Sequence, residues 1–263
     1  MKTVTDRGLL VEERRRRILQ LLEESGRVMV RELVREFGVT TVTVRSDLDA
    51  LAASGSLKRS HGGAVRSLES NRDFPLRFKE ALHHDEKIRI GKEAARLIKP
   101  NQTVILDSGS TTLAIARQLN QARPGPFTAV TNSLDIALEL SESPLVSVIM
   151  VGGLLRHVSR SFVGPQAEQM MRQIHARHLF LGVDGIRLDV GPSTPDILEA
   201  QLNALMVSAA DEVTVVSDAS KLGRRSLSVI CPMTSVHRVI TDNSVDAEMV
   251  RQMERIGIQV VVT

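Results

Sequence analysis

The apolar positions near the start of the chain recur at the three-to-four-residue spacing of amphipathic helices. This spacing predicts three helices, over residues 11–25, 31–37 and 41–53. Glycines, which readily adopt the left-handed conformation found at helix ends, follow these helices as Gly26, Gly38 and Gly55. Thr40 is placed to cap the third helix, so only a tight turn separates it from the second.

A β-hairpin is predicted directly after the third helix, over residues 56–65. Its pattern is a short strand, a basic tip, a double-glycine turn and a return strand. Two helices joined by a tight turn, here residues 28–47, followed by such a hairpin have the layout of a winged helix-turn-helix. In that motif the second helix presents its N-terminal side chains to base edges in the major groove of DNA.

Short β-branched runs alternate with helical segments in the rest of the chain. The predicted strands are 103–107, 127–131, 146–151, 178–183, 212–217, 238–241 and 259–262. The predicted helices between them are 112–120, 134–140, 164–174, 196–210 and 247–256, and residues 76–98 predict one or two more. This alternation indicates an open, largely parallel α/β sheet, a fold that binds ligands outside the carboxyl ends of its strands.

Composition and charge add two expectations. The net charge is +3, and the first 70 residues hold 13 basic and 10 acidic side chains while the remainder is balanced. A slightly basic module joined to a neutral body is consistent with DNA binding by one part, although so small an excess is weak evidence alone. Cys231 is the single cysteine, and charged residues replace an apolar leader at the N-terminus, so we expect a cytoplasmic protein with no membrane partner.

A loop of small hydroxyl residues around a glycine follows the first strand of the body. It consists of Asp107, Ser108, Gly109, Ser110, Thr111 and Thr112. Backbone N–H groups and Oγ atoms in such a loop converge on an anion, and the helix N-terminus adds about half a positive charge. The loop therefore predicts a phosphate site without the lysine of a P-loop, and simple helix capping is the alternative interpretation.

The N-terminal motifs carry a resemblance to a known family. The turn glycine, the T-V-R-x-D-L helix and the H-G-G-A hairpin resemble the winged helix-turn-helix of the DeoR family of bacterial sugar-metabolism repressors, over about residues 11–66. The resemblance implies DNA contacts in the major groove from Thr41, Val42, Thr43, Arg45 and Ser46, and near phosphate or the minor groove from Arg59 and His61. Many family members have two consecutive arginines where this chain has Arg45 and Ser46, so one contact differs.

The loops of the body resemble the sensor domain of the same family, over about residues 88–242. That domain is related in fold to ribose-5-phosphate isomerase and the glucosamine-6-phosphate deaminase group. The resemblance implies a phosphorylated sugar as effector, with its phosphate on residues 108–112. Its hydroxyl groups are expected near Asp107, Asn132, Gly152, Gly153, Asp184 and Lys221. Residues 156–168 look most like family members that regulate amino-sugar utilisation.

These patterns predict a DNA-binding domain at 11–66, a linker at 67–87 and a sensor domain at 88–263. The function they favour is a repressor that binds double-stranded operator DNA and releases it when a phosphorylated sugar occupies the sensor. Helix-turn-helix proteins usually read paired half-sites, so we expect a dimer or tetramer assembled through the body. No cofactor is expected.

Several alternatives stay open at this point. The body could be an isomerase-like enzyme in which Asp107, Asp184 and Lys221 move a proton, or Asp184 and Lys221 could be a structural pair. The winged helix could bind protein instead of DNA. Residues 14–17, four arginines, are either a solvated helix face or phosphate contacts, and Arg45 could pair with a neighbouring aspartate. His175 and His178 lack the further ligands of a zinc site, so no metal is expected.

Overall fold

The computed structural model describes residues 10–53, 57–65, 73–122 and 124–263, without the side chains of Glu12, Arg16, Glu23 and Glu24. Three expected features lie outside these ranges. They are the helix-ending Gly55, the start of the hairpin at Ser56 and residues 67–72 of the expected linker. The chain divides into two units, Met1–Leu82 and His83–Thr263. Within the described ranges, none of the helices is both long and apolar enough to cross a membrane.

The first unit is built from the three helices predicted near the start of the chain, a short fourth helix and a small antiparallel sheet. Its elements are α1 (Val11–Ser25), β1 (Arg27–Met29), α2 (Val30–Phe37), α3 (Thr41–Ala53), β2 (Lys58–Ser60), β3 (Gly63–Val65) and α4 (Leu76–Ala81). The strand order is β1-β3-β2. Ile18, Leu33, Val44 and Leu48 are fully buried between the helices. The apolar periodicity of the sequence thus corresponds to one shared core.

The hairpin requires a glycine where β3 passes β1. A Cβ atom on Gly63 would lie 2.0 Å from the carbonyl oxygen of Val28, so no larger residue fits without moving the strands. The neighbouring Gly62 adopts the left-handed region, with φ of 77°, and its carbonyl oxygen accepts a hydrogen bond from the Val30 N–H at 2.8 Å. Both glycines of the H-G-G-A motif are therefore required by the backbone: Gly62 by its left-handed conformation and Gly63 by the close approach of β1.

Helix α4 falls within the stretch 67–87 that the sequence favours as a linker. Phe78, Ala81 and Leu82 pack against the core of the first unit, and Leu82 is buried there. The first unit ends at Leu82, so residues 76–82 belong to it and not to a linker between the two units.

The second unit contains a seven-stranded parallel sheet. The elements are α5 (His84–Ala95), β4 (Thr103–Leu106), α6 (Ser110–Ala122), β5 (Phe127–Thr131), α7 (Leu134–Ser141), β6 (Val146–Met150), β7 (Leu154–Arg156), β8 (Ser161–Val163), α8 (Pro165–Met171), β9 (Ala176–Gly182), β10 (Gly185–Arg187), β11 (Gly191–Thr194), α9 (Ile197–Ser208), β12 (Ala210–Val216), β13 (Ser228–Val229), β14 (Arg238–Thr241), α10 (Ala247–Arg255) and β15 (Gln259–Val262). The strand order is β15-β14-β12-β9-β4-β5-β6. All seven predicted strands are present, and the open parallel sheet is confirmed.

Helices cover both faces of this sheet, because its strands alternate apolar side chains toward two cores. Phe180 and Leu106 face the core shared with α5, α6 and α7, while Ile105 and Leu179 face the core shared with α8, α9 and α10. Burial on both faces explains why the strands are near-continuous apolar runs. Two small antiparallel pairings, β7–β8 and β10–β11–β13, lie outside the main sheet and were not predicted.

Helix α6 lies at the centre of its core. Its first seven residues, from Ser110 to Ala116, are all buried. On one side α5 approaches so closely that a Cβ on Gly91 would lie 2.9 Å from the carbonyl carbon and oxygen of Ala114. The N-terminal turn of α6, where the sequence predicts an anion site, is therefore held by packing on several sides.

Candidate functional site

The N-terminal half of α3 presents most of its polar residues to solvent. Thr41, Val42, Arg45 and Ser46 are exposed and Thr43 is half-buried, while Val44 and Leu48 face the core. Val42 is 76% exposed, which is unusual for an apolar residue in the first turn of a helix. Apolar side chains at this place can contact thymine methyl groups in the major groove. The five residues expected to read DNA thus share one accessible region of α3.

The first turn of α3 is fixed by the predicted cap. The Thr40 Oγ1 atom accepts a hydrogen bond from the Thr43 N–H at 3.1 Å, and the two threonine hydroxyl oxygens lie 2.9 Å apart. A capping residue contributes about 1 kcal/mol to helix stability. Thr43 is therefore held in place by the cap while Thr41 and Val42 project from the same turn.

Two arginines of α1, Arg14 and Arg15, fit neither of the alternatives that the sequence left open for residues 14–17. Arg14 is buried, and its Nε lies 2.6 Å from Asp47 Oδ2; the Nε of Arg15 lies 3.0 Å from Asp47 Oδ1. Arg17 is half-exposed and lies 3.7 Å from Glu36. Asp47 on α3 is itself buried. Two of the arginines are thus partners of one buried carboxylate.

The hairpin arginine is also paired within the protein. Arg59 Nε lies 3.0 Å from Asp49 Oδ1, and its Nη1 donates a hydrogen bond to the Gly63 carbonyl oxygen at 3.0 Å. Both aspartates of α3 that could have paired with Arg45 therefore have other partners. His61 is exposed in the hairpin turn. In the part of the chain that the structure describes, Arg45 is exposed and makes no hydrogen bond or ion pair.

A second cluster of polar residues lies at the carboxyl end of β4, at the centre of the large sheet. The strand order reverses here, because β5 and β6 extend the sheet on one side of β4 while β9, β12, β14 and β15 extend it on the other. Open α/β sheets bind ligands at such a switch point. Asp107, directly after β4, bridges to β9: its Oδ1 accepts a hydrogen bond from the Gly182 N–H at 3.0 Å.

Asp107 is a fully buried carboxyl group. Its Oδ2 has no hydrogen-bond partner among the described residues. Burial raises the pKa of Asp107 well above its ordinary value, opposed by the hydrogen bond from Gly182, and the negative charges of Glu199 and Asp184 raise it further. A buried carboxyl with one unused oxygen, placed at a switch point, is a candidate ligand contact.

The predicted anion loop follows Asp107 and enters α6. Ser110, Thr111 and Thr112 are buried in the first turn of the helix, while Ser108 and Gly109 are half-buried. The Thr112 Oγ1 donates a hydrogen bond to the Gly109 carbonyl oxygen at 3.0 Å, which closes the turn. The positive end of a 13-residue helix therefore points toward the Asp107 end of the sheet.

Asn132 lies level with Asp107 on the neighbouring strand, because Leu106 pairs with Thr131 in the β4–β5 register. It is fully buried, and its Nδ2 donates a hydrogen bond to the Phe162 carbonyl oxygen at 3.0 Å. The Asn132 Oδ1 has no partner within the described ranges. Asp107 and Asn132 thus each keep one oxygen without a donor at adjacent strand ends.

The predicted glycines lie at the same edge of the sheet, after β6. A Cβ on Gly153, which has φ of 155°, would lie 2.6 Å from the Val163 carbonyl oxygen, so β8 passes too closely for a side chain. A Cβ on Gly152 would meet nothing within 4 Å. The close approach of β8 therefore requires a glycine at position 153, whereas Gly152 leaves open space at the strand end.

Asp184 and Lys221 follow β9 and β12, the next strands away from β4. Asp184 is close enough to Asp107 to raise its pKa, and its N–H donates to the Ser193 carbonyl oxygen at 3.0 Å. Lys221 is half-buried in the 3₁₀ turn Ala219–Lys221, two strands from Asp107. The structure thus brings Asp184 near Asp107 and places Lys221 farther along the same edge.

Glu199 was missed by the sequence reasoning, and Arg156 entered it only as the first residue of the motif at 156–168. Glu199 is buried at the start of α9; its Oε1 accepts hydrogen bonds from Arg156 Nη1 at 3.0 Å and Ser161 Oγ at 3.2 Å, and its Oε2 from Thr194 Oγ1 at 3.2 Å. Arg156 also pairs with Asp196 at 3.0 Å. This network ties β7, β8, β11 and α9 together beside Asp107. A glutamate in a first helical turn predicts only capping, so no local signal revealed its burial.

The histidines considered for a metal do not form a metal site. His178 is buried, stacks on Phe180 with ring centroids 4.3 Å apart, and lies 2.7 Å from Thr214 Oγ1. His175 is exposed beside Asp211. Across the described residues, no group of three or more His, Cys, Asp or Glu side chains could hold a metal ion.

Comparison with known proteins matches both units. Residues 14–70 match the family model for the DeoR-like helix-turn-helix domain, and residues 82–243 match the DeoR C terminal sensor domain. The chain is 39% identical over 251 residues to the aga operon transcriptional repressor of Escherichia coli O157:H7, covering 95% of this chain and 93% of that protein. It is 36% identical over 253 residues to the HTH-type transcriptional regulator GlpR of Haloferax volcanii, covering 96% and 98%.

Among solved structures, the ribose 5-phosphate isomerase A of Methanocaldococcus jannaschii aligns with 53% of this chain and 55% of its own, at 16% identity and a TM-score of 0.39. A likeness of this strength carries no argument about activity. The sequence relatives, by contrast, extend over both units and are named as transcriptional regulators or repressors. Because one chain matches both the DeoR-like helix-turn-helix domain and the DeoR C terminal sensor domain, this protein belongs to the DeoR family of transcriptional regulators.

Proposed function

We propose that this regulator represses a carbohydrate-utilisation operon and leaves its operator when a phosphorylated sugar binds at the carboxyl end of β4. The observation that carries the effector part is the buried Asp107 at the switch point, with an unused oxygen beside the N-terminus of α6. An anion is stabilised by the helix end, while hydrogen-bonding groups of a polyol suit the unused oxygens. A sugar phosphate combines both features.

The DNA part of the proposal rests on α3 and the hairpin. Arg45 offers the donors that bind guanine in the major groove, and Val42 offers apolar contact to thymine. Thr41, Thr43 and Ser46 complete this reading surface, and His61 lies at the hairpin tip. Arg59 is proposed to contact DNA only with the donors that remain after its pairing with Asp49.

The effector part assigns two roles at the sheet edge. Phosphate is proposed to bind the loop of Ser108, Gly109, Ser110, Thr111 and Thr112. Sugar hydroxyl groups are proposed to bind near Asp107, Asn132, Asp184, Gly152 and Gly153. Gly152 leaves open space for them, and Lys221 is proposed to supply a point charge. An amino sugar is the finer proposal, supported by 39% identity to a repressor named for the aga operon.

Release from DNA requires that the effector bind the DNA-incompetent arrangement more tightly than the competent one. Paired half-sites favour a dimer or tetramer, and the proposed place of action is the cytoplasm, where the DNA lies. The relatives are regulators, so sugar binding in this chain serves regulation and not turnover.

The experiment that tests the proposal is a gel shift of a duplex from upstream of the chain's own gene, with a panel of sugar phosphates. One sugar phosphate is expected to release the wild-type protein. Thr111→Val is expected to stay bound in its presence, because the substitution removes a hydroxyl from the phosphate loop. Arg45→Ala is expected not to bind the duplex, while the exposed Arg255→Ala serves as the matched control.

Three results would contradict this proposal. If Arg45→Ala bound the operator as tightly as Arg255→Ala, α3 would not be the helix that recognises the DNA sequence. Normal release of Thr111→Val would remove the phosphate loop. Conversion of a sugar phosphate into product by the purified protein would favour the isomerase-like alternative instead.

A further inference from the structure

We propose that Asp47, Arg14 and Arg15 are positioning residues that set how α3 docks in the major groove, and that the two arginines do not themselves contact DNA. The inference rests on the proposed binding of operator DNA by α3. The three residues hold α3 against α1, and the exposed surface of α3 alone does not determine this orientation.

The three residues occupy core positions of their helices. Arg14 lies one turn before Ile18 and Arg15 one turn before Leu19, on the stripe of α1 that faces the core. On α3, Asp47 lies between the buried Val44 and Leu51 on the corresponding face. Positions that the helical period reserves for apolar residues thus carry opposite charges on the two helices.

Each oxygen of the Asp47 carboxylate has its own arginine. Arg14 Nε lies 2.6 Å from Oδ2 and Arg15 Nε lies 3.0 Å from Oδ1, and the exposed fractions of the Arg14 and Asp47 side chains are 7% and 2%. Two directional pairs from consecutive residues of α1 restrict the rotation of α3 about its own axis. Apolar contacts at the same positions would hold the helices together with less angular restriction.

Energetics alone do not explain such a group. A buried ion pair is often no more stabilising than apolar residues of the same volume, whereas removal of one partner leaves a buried charge without compensation. What the arrangement offers is a defined orientation of α3, and orientation decides whether Arg45 reaches a base edge. Small misplacement of a docking helix weakens base contacts while leaving the general attraction to phosphate intact.

The other aspartate of α3, Asp49, is 66% exposed and has a single arginine partner within the described ranges. Asp49 pairs with Arg59 of the hairpin, which also donates to the Gly63 carbonyl oxygen. Both carboxylates of α3 are therefore neutralised by arginines from elements on either side of it. This leaves Arg45 without a carboxylate partner among the residues that the structure describes.

Arg15 provides the decisive test, because 28% of its side chain is exposed and its removal leaves the Arg14 pair in place. The probes are the upstream duplex and a duplex of the same composition in scrambled order. Affinity for both is measured by fluorescence anisotropy over a salt series, with the full-length protein. Arg17→Gln is the matched control for Arg15→Gln, because Arg17 lies on the same helix, α1, and forms an exposed pair with Glu36 of α2.

A positioning role predicts that Arg15→Gln loses about 10-fold in affinity for the upstream duplex. Its affinity for the scrambled duplex and its salt slope are expected to equal those of Arg17→Gln. Asp47→Asn is expected to lose more of the same specific affinity, about 10- to 100-fold, and its folded state is checked by circular dichroism.

A phosphate-contacting role gives a different result and would overturn the proposal. In that case Arg15→Gln would lose affinity for both duplexes together, and its salt slope would fall by about 0.9. Unchanged affinity for the upstream duplex in both Arg15→Gln and folded Asp47→Asn would also overturn it. If instead the wild-type protein failed to distinguish the two duplexes, the proposed operator binding would have failed, and not the positioning role.

Discussion

Asp107 combines full burial with a pKa raised well above its ordinary value, chiefly because of desolvation. In the unfolded chain the group has a pKa of about 3.9, so the folded protein holds a proton that the unfolded chain releases. The stability that this proton confers is present at low pH and is lost as pH rises through the folded pKa.

Asp107→Asn is therefore expected to unfold with a higher free energy than wild type, and the difference is expected to grow as pH rises above about 4. The chain has no Trp or Tyr, so urea unfolding is followed by circular dichroism at several pH values. Asp189→Asn is the control, because Asp189 is exposed and its hydrogen bond with Arg187 lowers its pKa. A difference that does not change with pH would contradict the expectation.

Burial makes stability depend on pH in the opposite direction at His178, because the folded protein disfavours the protonated form of this group. Burial lowers its pKa to about 4, whereas the unfolded value is about 6.5. As pH falls from 6.5 toward 4, the unfolded chain gains a proton that the folded protein does not, and wild type loses about 3 kcal/mol of stability from this group.

His178→Gln is expected to lack this loss, so its free energy of unfolding approaches or exceeds that of wild type at pH 4.5. Urea unfolding of both proteins between pH 4.5 and 7 measures the effect. His175→Gln, at an exposed position, is expected to follow wild type. Parallel pH curves for wild type and His178→Gln would show that the imidazole is accessible to protons in the folded state.

At the scale of elements, the crossing of α5 and α6 depends on one glycine. A Cβ on Gly91 would approach the backbone of Ala114 to 2.9 Å, and backbone cannot move aside as a flexible side chain does. Gly91→Ala is expected to destabilise the protein by about 1–3 kcal/mol. The exposed Lys92→Ala on the same helix is expected to change stability by less than about 0.5 kcal/mol. Urea unfolding compares them, and equal stabilities would mean that the helices separate at little cost.

The large elements could be predicted because each has its own period. The parallel strands are apolar runs between helices, and α1, α2 and α3 have a helical stripe with a glycine or cap at an end. The short pairings β7–β8 and β10–β11–β13 could not be predicted, because strands of two to four residues carry no period and form only against their neighbours.

The same distinction applies to the candidate site. Asp107 and the loop to Thr112 were found because a strand, a glycine and a helix start are adjacent in sequence. Glu199 was missed because its partner Arg156 is 43 residues away. The pairing of Arg14 with Asp47 was missed because the two residues are 33 positions apart. One signal in the sequence was available: Arg14 and Arg15 lie one turn before the apolar residues Ile18 and Leu19 on α1.

At the scale of the whole molecule, release from DNA by an effector implies the reverse effect. If the effector weakens operator binding by some factor, operator DNA must weaken effector binding by the same factor, about 5- to 150-fold for typical coupling. Calorimetry with the releasing sugar phosphate, with and without the upstream duplex, measures this. Arg45→Ala is expected to bind the effector equally in both conditions. Equal affinities for wild type would mean that release does not arise from coupled binding.

The burial of the first two turns of α6 has a practical consequence for finding the effector. Because these turns are part of the core of the second unit, a ligand on them cannot remain bound while that core is unfolded. An effector at 100 times its dissociation constant adds about 2.7 kcal/mol to the free energy of unfolding. A melting-temperature screen of sugar phosphates against the purified protein should therefore identify the effector without any knowledge of the operator, and Thr111→Val should show no shift with the same compound.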